Sequence, residues 1–158
     1  MNFRRELKDT DAGFIKEILE STGFFYDYEI DIALELVEEN LTKGEGKSGY
    51  IFYIAETYKI PVGFACFGKT PCTASSFDLY WIAVHHDQIG QGIGKLLLTR
   101  VEGEIAKMGG KNIWVETSSR PLYEPTRMFY LKTGYKMVSE LQDFYGENDN
   151  KNIFQKKI

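Results

Sequence analysis

The sequence predicts an α/β protein of mixed order, α+β in character, with a central mixed sheet of about seven strands flanked by about four helices. Three observations lead there. Apolar residues recur at helical spacing in some segments and form short β-rich runs in others. Glycine and proline punctuate the boundaries between them. No linker, internal repeat or low-complexity tract divides the 158 residues, so residues 1–158 are expected to form a single domain.

The elements follow in order. Asn2 to Leu7 reads as a short strand. Asp9 or Thr10 is placed to cap a helix on which Phe14, Ile15, Ile18 and Leu19 share a face, and Gly23 ends it. After the aromatic run Phe24-Phe25-Tyr26-Asp27-Tyr28, a second helix carries Ile30, Ala33, Leu34, Val37 and Leu41 and ends near Lys43-Gly44-Glu45-Gly46. Strands are expected over Tyr50–Glu56, Val62–Phe67 and Phe77–Val84, separated at Pro61 and around Pro71. A glycine-rich turn then opens a helix with apolar positions Ile93, Leu96, Leu97, Val101, Ile105 and Met108, closed by Gly109-Gly110. A strand over Asn112–Glu116, a short helix from about Pro125 to Lys132, and strands over Lys136–Asp143 and Asn152–Lys157 complete the chain.

Composition narrows the function. Hydrophobic residues make up 43% and aromatics 15%, enough for a packed core. The net charge of -4 argues against nucleic acid as a partner, which calls for a basic stripe. No run of apolar residues is long enough to span a membrane, and the first residues, Met1 to Asp9, lack the apolar core of a signal peptide. The two cysteines, Cys66 and Cys72, make no disulfide framework, and with His85 and His86 they match no zinc spacing. A reduced cytoplasm is the expected setting, with no membrane and no metal.

The strongest chemical signal is Ile82-Ala83-Val84-His85-His86-Asp87-Gln88-Ile89-Gly90-Gln91-Gly92-Ile93-Gly94-Lys95, a strand that runs through a glycine turn into a helix. Glycines allow positive φ and close approach, and the free amides of a helix start favour a phosphate group. A P-loop would need glycine at Ile89 and serine or threonine at Leu96. A dinucleotide fingerprint counted from Gly90 would need glycine at Lys95. Both patterns fail.

This segment resembles the acyl-CoA-binding motif of the GNAT superfamily, in which a strand ends in V-H-P-x-x-Q/R-G-x-G-I-G. The resemblance continues in Phe129-Tyr130-Leu131-Lys132-Thr133-Gly134-Tyr135, similar to the F-Y-x-K-x-G-F/Y run that closes the family's fourth helix, and the element order agrees over nearly the whole chain. It departs at Ile89, where the family carries Gln or Arg, and at His86, where proline is usual. The resemblance implies the GNAT fold and an acetyl-CoA-dependent N-acetyltransferase that releases CoA. It assigns Ile82, Ala83 and Val84 to the pantetheine arm and Ile89, Gly90, Gln91, Gly92, Ile93, Gly94 and Lys95 to the pyrophosphate. His85 has a family counterpart and is expected to shape the turn. Tyr123 falls where the family often has a cofactor-touching asparagine, seven residues before Tyr130 and thus two helical turns away on the same side.

Amide formation from a thioester needs a base for the amine, stabilisation of the oxyanion and an acid for the departing thiolate. An alkylammonium titrates near ~10.4 and a thiol near ~8.5, so the base is the harder requirement. The resemblance gives Tyr130 the part of general acid and the Val84 amide that of oxyanion donor. Asp78, in the apolar strand Phe77-Asp78-Leu79-Tyr80-Trp81-Ile82, is the candidate base, since burial would raise its pKa. A glutamate holds the matching place in the family's histone-type branch. Glu116 is the rival, and a water chain is the third possibility. The resemblance implies that the loop between the first two helices and the loop between the last two strands border the acceptor; Phe25, Tyr26, Tyr28, Tyr80 and Tyr145 are the candidate contacts, and the mix of rings with carboxylates around them suits a cationic amine. A small-molecule amine or a protein amine is the expected partner, and the chain a monomer or homodimer. The competing reading is a GNAT-fold module that senses acyl-CoA without turning it over.

Overall fold

The computed structural model describes all of residues 1–158. The order is β1 (Asn2–Arg4), α1 (Asp11–Thr22), α2 (Asp27–Ser48), β2 (Ile51–Thr57), β3 (Ile60–Lys69), β4 (Ser76–Val84), α3 (Ile93–Lys107), β5 (Asn112–Ser118), α4 (Glu124–Lys132), β6 (Lys136–Gly146) and β7 (Asp149–Lys157), with short 3-10 turns at His86–Gln88 and Pro121–Tyr123. The seven strands lie in the order β1-β2-β3-β4-β5-β7-β6. The β4/β5 pair is parallel, which a crossover through α3 permits, and β1/β2, β2/β3, β5/β7 and β6/β7 are antiparallel. This is the predicted α/β architecture. No helix is long and apolar enough to cross a membrane.

The chain divides into two compact units, Met1–Gly68 with Leu79–Glu104, and Lys69–Asp78 with Ile105–Ile158. Both β4 and α3 therefore pass from one unit into the other.

In the first unit, Ile15, Ile18 and Leu19 of α1 and Ile30, Ala33 and Val37 of α2 pack with Phe52, Ile54, Phe64, Cys66 and Ala83 of the strands. The i, i+3, i+4 spacing of the helical residues puts their apolar faces on the sheet. At the start of α1, Arg4 grips the buried carboxylate of Asp11 and also the carboxylate of Glu56. The start depends on this grip and not on a Thr10 cap, for Thr10 makes no side-chain cap bond. Gly23, in the left-handed conformation at φ 69°, closes α1 as expected.

In the second unit, Phe77, Ile113, Val115, Tyr130, Tyr135 and Phe154 are buried. The Tyr130 ring lies 5.5 Å from Tyr135 and 5.7 Å from Phe154. Gly110 is required here, since a Cβ would come within 2.3 Å of Ile105 and 2.9 Å of Phe77.

Several expectations are corrected. The second helix continues to Ser48 through a local break at Gly44 (φ 77°, ψ 167°) and stops at Gly49. Pro61 lies inside β3 rather than before it. On α3, Leu98 is buried along with Ile93, Leu97, Val101 and Ile105, whereas Leu96 is exposed and Met108 lies beyond the helix. The first strand is three residues long, and β6 and β7 run to Gly146 and from Asp149, leaving only Glu147-Asn148 between them.

A Cβ at Gly68 would lie 2.2 Å from the Gly49 carbonyl oxygen, so two backbones meet there. Gly68→Ala is expected to lose about 1–3 kcal/mol, the usual cost of overpacking, read as a lower midpoint in urea unfolding. An unchanged midpoint would show that this approach relaxes freely.

Candidate active site

In the first unit the end of β4 turns sharply into α3. Ala83 is buried, and Ile82 and Val84 are half-buried. Gly63 on β3 lets the strands close up, since a Cβ there would meet Ala83 O at 3.1 Å and Val84 Cγ2 at 3.4 Å. The His85 amide donates to Val62 O at 2.8 Å, and His85 Nδ1 accepts the Asp87 amide at 3.3 Å. The His86 amide donates to Ser21 Oγ in the last turn of α1, at 3.0 Å. Gln88 and Ile89 close the 3-10 turn on His85 O and His86 O, at 2.9 and 3.2 Å.

Beyond it, Gly90 and Gly92 take φ of 85° and 79°, and no atom lies within 4 Å of a Cβ built on either. The bond from Leu96 N–H to Gly92 O, 3.1 Å, starts the α3 ladder. The amides of Ile93, Gly94 and Lys95 precede it and lack intrahelical acceptors. Gly90, Gln91, Gly92 and Lys95 are exposed, and only Ile93 is anchored in the core. The result is an open run of main-chain donors at a helix start, a place suited to phosphate oxygens.

The aromatic candidates of this unit are spread along its surface. Phe25 is half-buried with its ring 5.2 Å from Trp81. Tyr26 and Tyr28 are exposed and stacked at 5.5 Å, and Tyr80 meets Tyr50 edge-on at 5.4 Å. The Tyr26 amide donates to Glu29 Oε2 at 2.7 Å, which fixes the start of α2.

In the second unit, Asp78 pairs in register with Trp114. Glu116 lies two residues beyond Trp114, so both carboxylates emerge on one face of the sheet. Asp78 is half-buried, and Thr70 Oγ1 donates to its Oδ2 at 2.7 Å. Burial raises the Asp78 pKa, the Thr70 hydrogen bond opposes this, and the nearby Glu116 charge adds to it. Glu116 is exposed and paired with Lys151 at 2.8 Å, while Lys151 Nζ also sits 4.1 Å over the Phe144 ring. Tyr130 is buried, and burial pushes its phenol well above the usual range. Its carbonyl accepts the Tyr135 amide at 3.0 Å, tying the end of α4 to the start of β6.

The structure alters two assignments. Tyr123 is buried beneath Arg120, 5.2 Å from its ring, but belongs to the 3-10 turn before α4, so helical periodicity does not relate it to Tyr130. Tyr145 lies in β6 and not in a loop, with its ring 5.1 Å from Phe144. The sequence reading missed Thr70, Ser21 and Lys151. A helix-end serine is an ordinary feature, and nothing in the local pattern marks the other two.

A family model described as an acetyltransferase (GNAT) domain matches residues 48–137, a stretch that holds both the glycine turn and Tyr130. The chain belongs to the GNAT acetyltransferase family. It is similar over 99% of its length, and 98% of the other chain, to a protein assigned to that family from Desulfovibrio desulfuricans, with 39% identity and a TM-score of 0.96. An aminoglycoside 6'-N-acetyltransferase crystallised with coenzyme A shares the fold, with 21% identity, TM-score 0.77 and coverage of 99% and 97%. So does a PaiA N-acetyltransferase from Thermoplasma acidophilum in complex with coenzyme A, with 19% identity, TM-score 0.75 and coverage of 100% of both chains. No protein of curated function matches the sequence. As a GNAT acetyltransferase the chain is an N-acetyltransferase whose acyl donor is acetyl-CoA.

At Gly92 this acetyltransferase has room for a side chain but a backbone that disfavours one. Gly92→Ala is expected to cost about 1–2 kcal/mol of stability and to shrink the rise in thermal midpoint that acetyl-CoA produces. An unchanged midpoint together with an unchanged rise would remove the turn from the binding site.

Proposed function

We propose that the chain, acting as one acyltransferase domain over residues 1–158, transfers the acetyl group of acetyl-CoA to a primary amine by direct attack in a ternary complex. The acceptor is a small-molecule amine or a protein amine. Asp78 is the observation that carries this reading. It is a carboxyl on an otherwise apolar strand, held above its usual range by burial and by the Glu116 charge, with one oxygen already satisfied by Thr70.

The residues of the turn fit the cofactor. The positive φ of Gly90 and Gly92, and the open space where their side chains would be, would leave the amides of residues 90–95 accessible to a pyrophosphate, and Lys95 in the first turn of α3 is exposed. The end of β4, Ile82 to Val84, would hold the pantetheine arm. Acetyl-CoA supplies the thioester carbonyl and a thiolate leaving group.

This chain's own groups handle protons and orientation. Asp78 would take the proton of the acceptor ammonium at a carboxylate oxygen. A base with a raised pKa retains that proton better than an exposed carboxylate, and positioned general bases contribute about 10²–10⁴-fold. Glu116 is held by Lys151 and suits binding of the acceptor cation more than proton removal. Tyr130, kept protonated through the neutral range, would hold a proton at Oη for the thiolate. The Val84 amide is the assigned donor to the carbonyl oxygen. The exposed rings Tyr26, Tyr28 and Tyr145, with Phe25 and Tyr80, are the proposed acceptor contacts.

The first test is thermal unfolding with acetyl-CoA, CoA, ATP and NADH. A midpoint rise with the first two alone supports the assigned site, and a hundredfold excess over Kd corresponds to about 2.7 kcal/mol. Thiol release against an amine panel then identifies the acceptor.

Two substitutions separate the roles. The Asp78 pKa is higher folded than unfolded, so its ionisation weakens the fold as pH rises through the carboxylate range. Asp78→Asn is therefore expected to be more stable than the parent at neutral pH, with the gain vanishing in acid. Its kcat/KM should fall about 10²–10⁴-fold and lose its acidic limb. A variant that keeps full turnover would hand the role to Glu116 or a water chain. Tyr130→Phe is expected to keep the midpoint rise with CoA and lose turnover. If turnover is retained, Tyr130 is only a core side chain.

A further inference from the structure

The His86 amide donates to Ser21 Oγ at 3.0 Å, and the Ser21 hydroxyl donates in turn to Ile18 O at 2.7 Å. A hydroxyl has one proton to give. With that proton committed to the helix, the oxygen is left to face the turn as an acceptor. Ser21 is half-buried near the end of α1, and Ile18 and Leu19 of the same helix are locked in the core. The acceptor is therefore fixed in place independently of the turn.

Little else holds the turn from outside. Its entry is tied where the His85 amide meets Val62 O, and its exit where Ile93 enters the core. Asp87, Gln88 and Ile89 bond back to His85 and His86. From His86 to Gln91, the bond to Ser21 is the one hydrogen bond that leaves the turn. Gly90 and Gly92 supply no stiffness of their own.

His86 is also where the chain departs from its family's proline. The backbone would accept that ring. His86 opens a 3-10 turn, whose φ matches the φ that proline imposes. His85 before it has a ψ of 138°, the extended value that a following proline favours. What excludes proline is Ser21. A ring carbon would replace the amide hydrogen and run into the Oγ that now accepts it. Proline would stiffen the turn from within, whereas here an amide and a hydroxyl hold it from α1.

We propose that Ser21 is a positioning residue of the acetyl-CoA site, presetting through the His86 amide the turn whose main-chain donors receive the pyrophosphate. This rests on the reading of that turn as the cofactor cradle. Ser21 acts through the turn and touches no reacting atom. Without it the competent shape is still available but less often adopted, and affinity falls with the fraction of molecules that hold it. One net hydrogen bond limits that fall to about tenfold.

Calorimetric titration of the full-length protein with CoA tests this. Ser21→Ala is expected to raise Kd about three- to tenfold. The KM for acetyl-CoA should rise with it, while kcat at saturation stays unchanged. Alanine suits a helix, so the thermal midpoint of the free protein should hold. His86→Pro alone is expected to weaken binding too, because its ring meets Oγ. Combined in one chain, the two substitutions are expected to return Kd close to the parent value, since each clears the other's obstacle, and such coupling marks residues in contact. An unchanged Kd in Ser21→Ala, a loss of kcat in its place, or a double variant that binds no better than either single variant would each overturn the inference. Gly92→Ala separates it from the reading beneath it. If Gly92→Ala weakens CoA binding and Ser21→Ala does not, the turn is the cradle and Ser21 does not position it. If neither weakens binding, the turn is not the cradle and both readings fall.

Discussion

Arg4 ties down the first unit. Its guanidinium meets Asp11 and Glu56 at 2.6 Å each, and only 14% of its side chain is exposed. The hydrogen bond to Asp11 is the largest cause of its raised pKa, and Arg4 in turn holds the Glu56 carboxyl below its usual range. Removing Arg4 would leave the buried Asp11 and Glu56 carboxylates without their guanidinium, at a cost of about 3–5 kcal/mol. Glu56 therefore adds stability above the ordinary carboxylate pKa, and that stability is lost only as pH falls through its depressed folded value. The geometry matters beyond stability. Arg4 fixes α1 at its first residue, and at the other end of the same helix Ser21 receives the His86 amide. The turn that reads as the cofactor cradle is thus held by a helix whose position is set by an ion pair.

In the second unit the same sheet face gives two carboxylates different properties. Asp78 loses solvent and gains only a hydroxyl donor, whereas Glu116 keeps its solvent and gains Lys151. Burial favours the neutral acid at Asp78, whereas Glu116 stands in solvent against the Lys151 ammonium. A reaction that must remove a proton from a cation and also hold that cation needs both kinds of group. On our reading, the division of labour comes from burial and not from residue type.

Much of this was legible in the sequence, and the reasons are local. Gly90 and Gly92 could be read because a left-handed backbone selects glycine, and the ends at Gly23 and Gly109 follow the same rule. The apolar stripes of α1 and α2 could be read from period. Tertiary context decided what was misread. Helix α2 absorbs the break at Gly44, although glycine there suggests an end. Leu98 takes a core position on α3 while Leu96 is left in solvent, and both would satisfy a helical pattern. β6 runs past Asp143 although that residue adopts a turn-like φ. The Arg4–Glu56 pair spans 52 residues, and the Ser21–His86 bond spans 65, so no window of sequence could show either.

The substitution of Ile89 for the family's polar residue takes on a definite meaning in this geometry. Ile89 ends the 3-10 turn in extended conformation, φ -64° and ψ 146°, and its amide is already used by His86 O. Its side chain is 56% exposed and contributes nothing to the shape of the turn, whose unusual backbone angles fall on Gly90 and Gly92. The donors available to a pyrophosphate are main-chain amides at the head of α3, and they are present whatever residue stands at 89. If the turn holds a pyrophosphate as we propose, what isoleucine gives up is a side-chain contact and not a main-chain donor. A cradle made of backbone tolerates that loss in a way that one made of side chains could not. The conformational demand on this loop is therefore concentrated at two glycines rather than at the position where the sequence departs from its family.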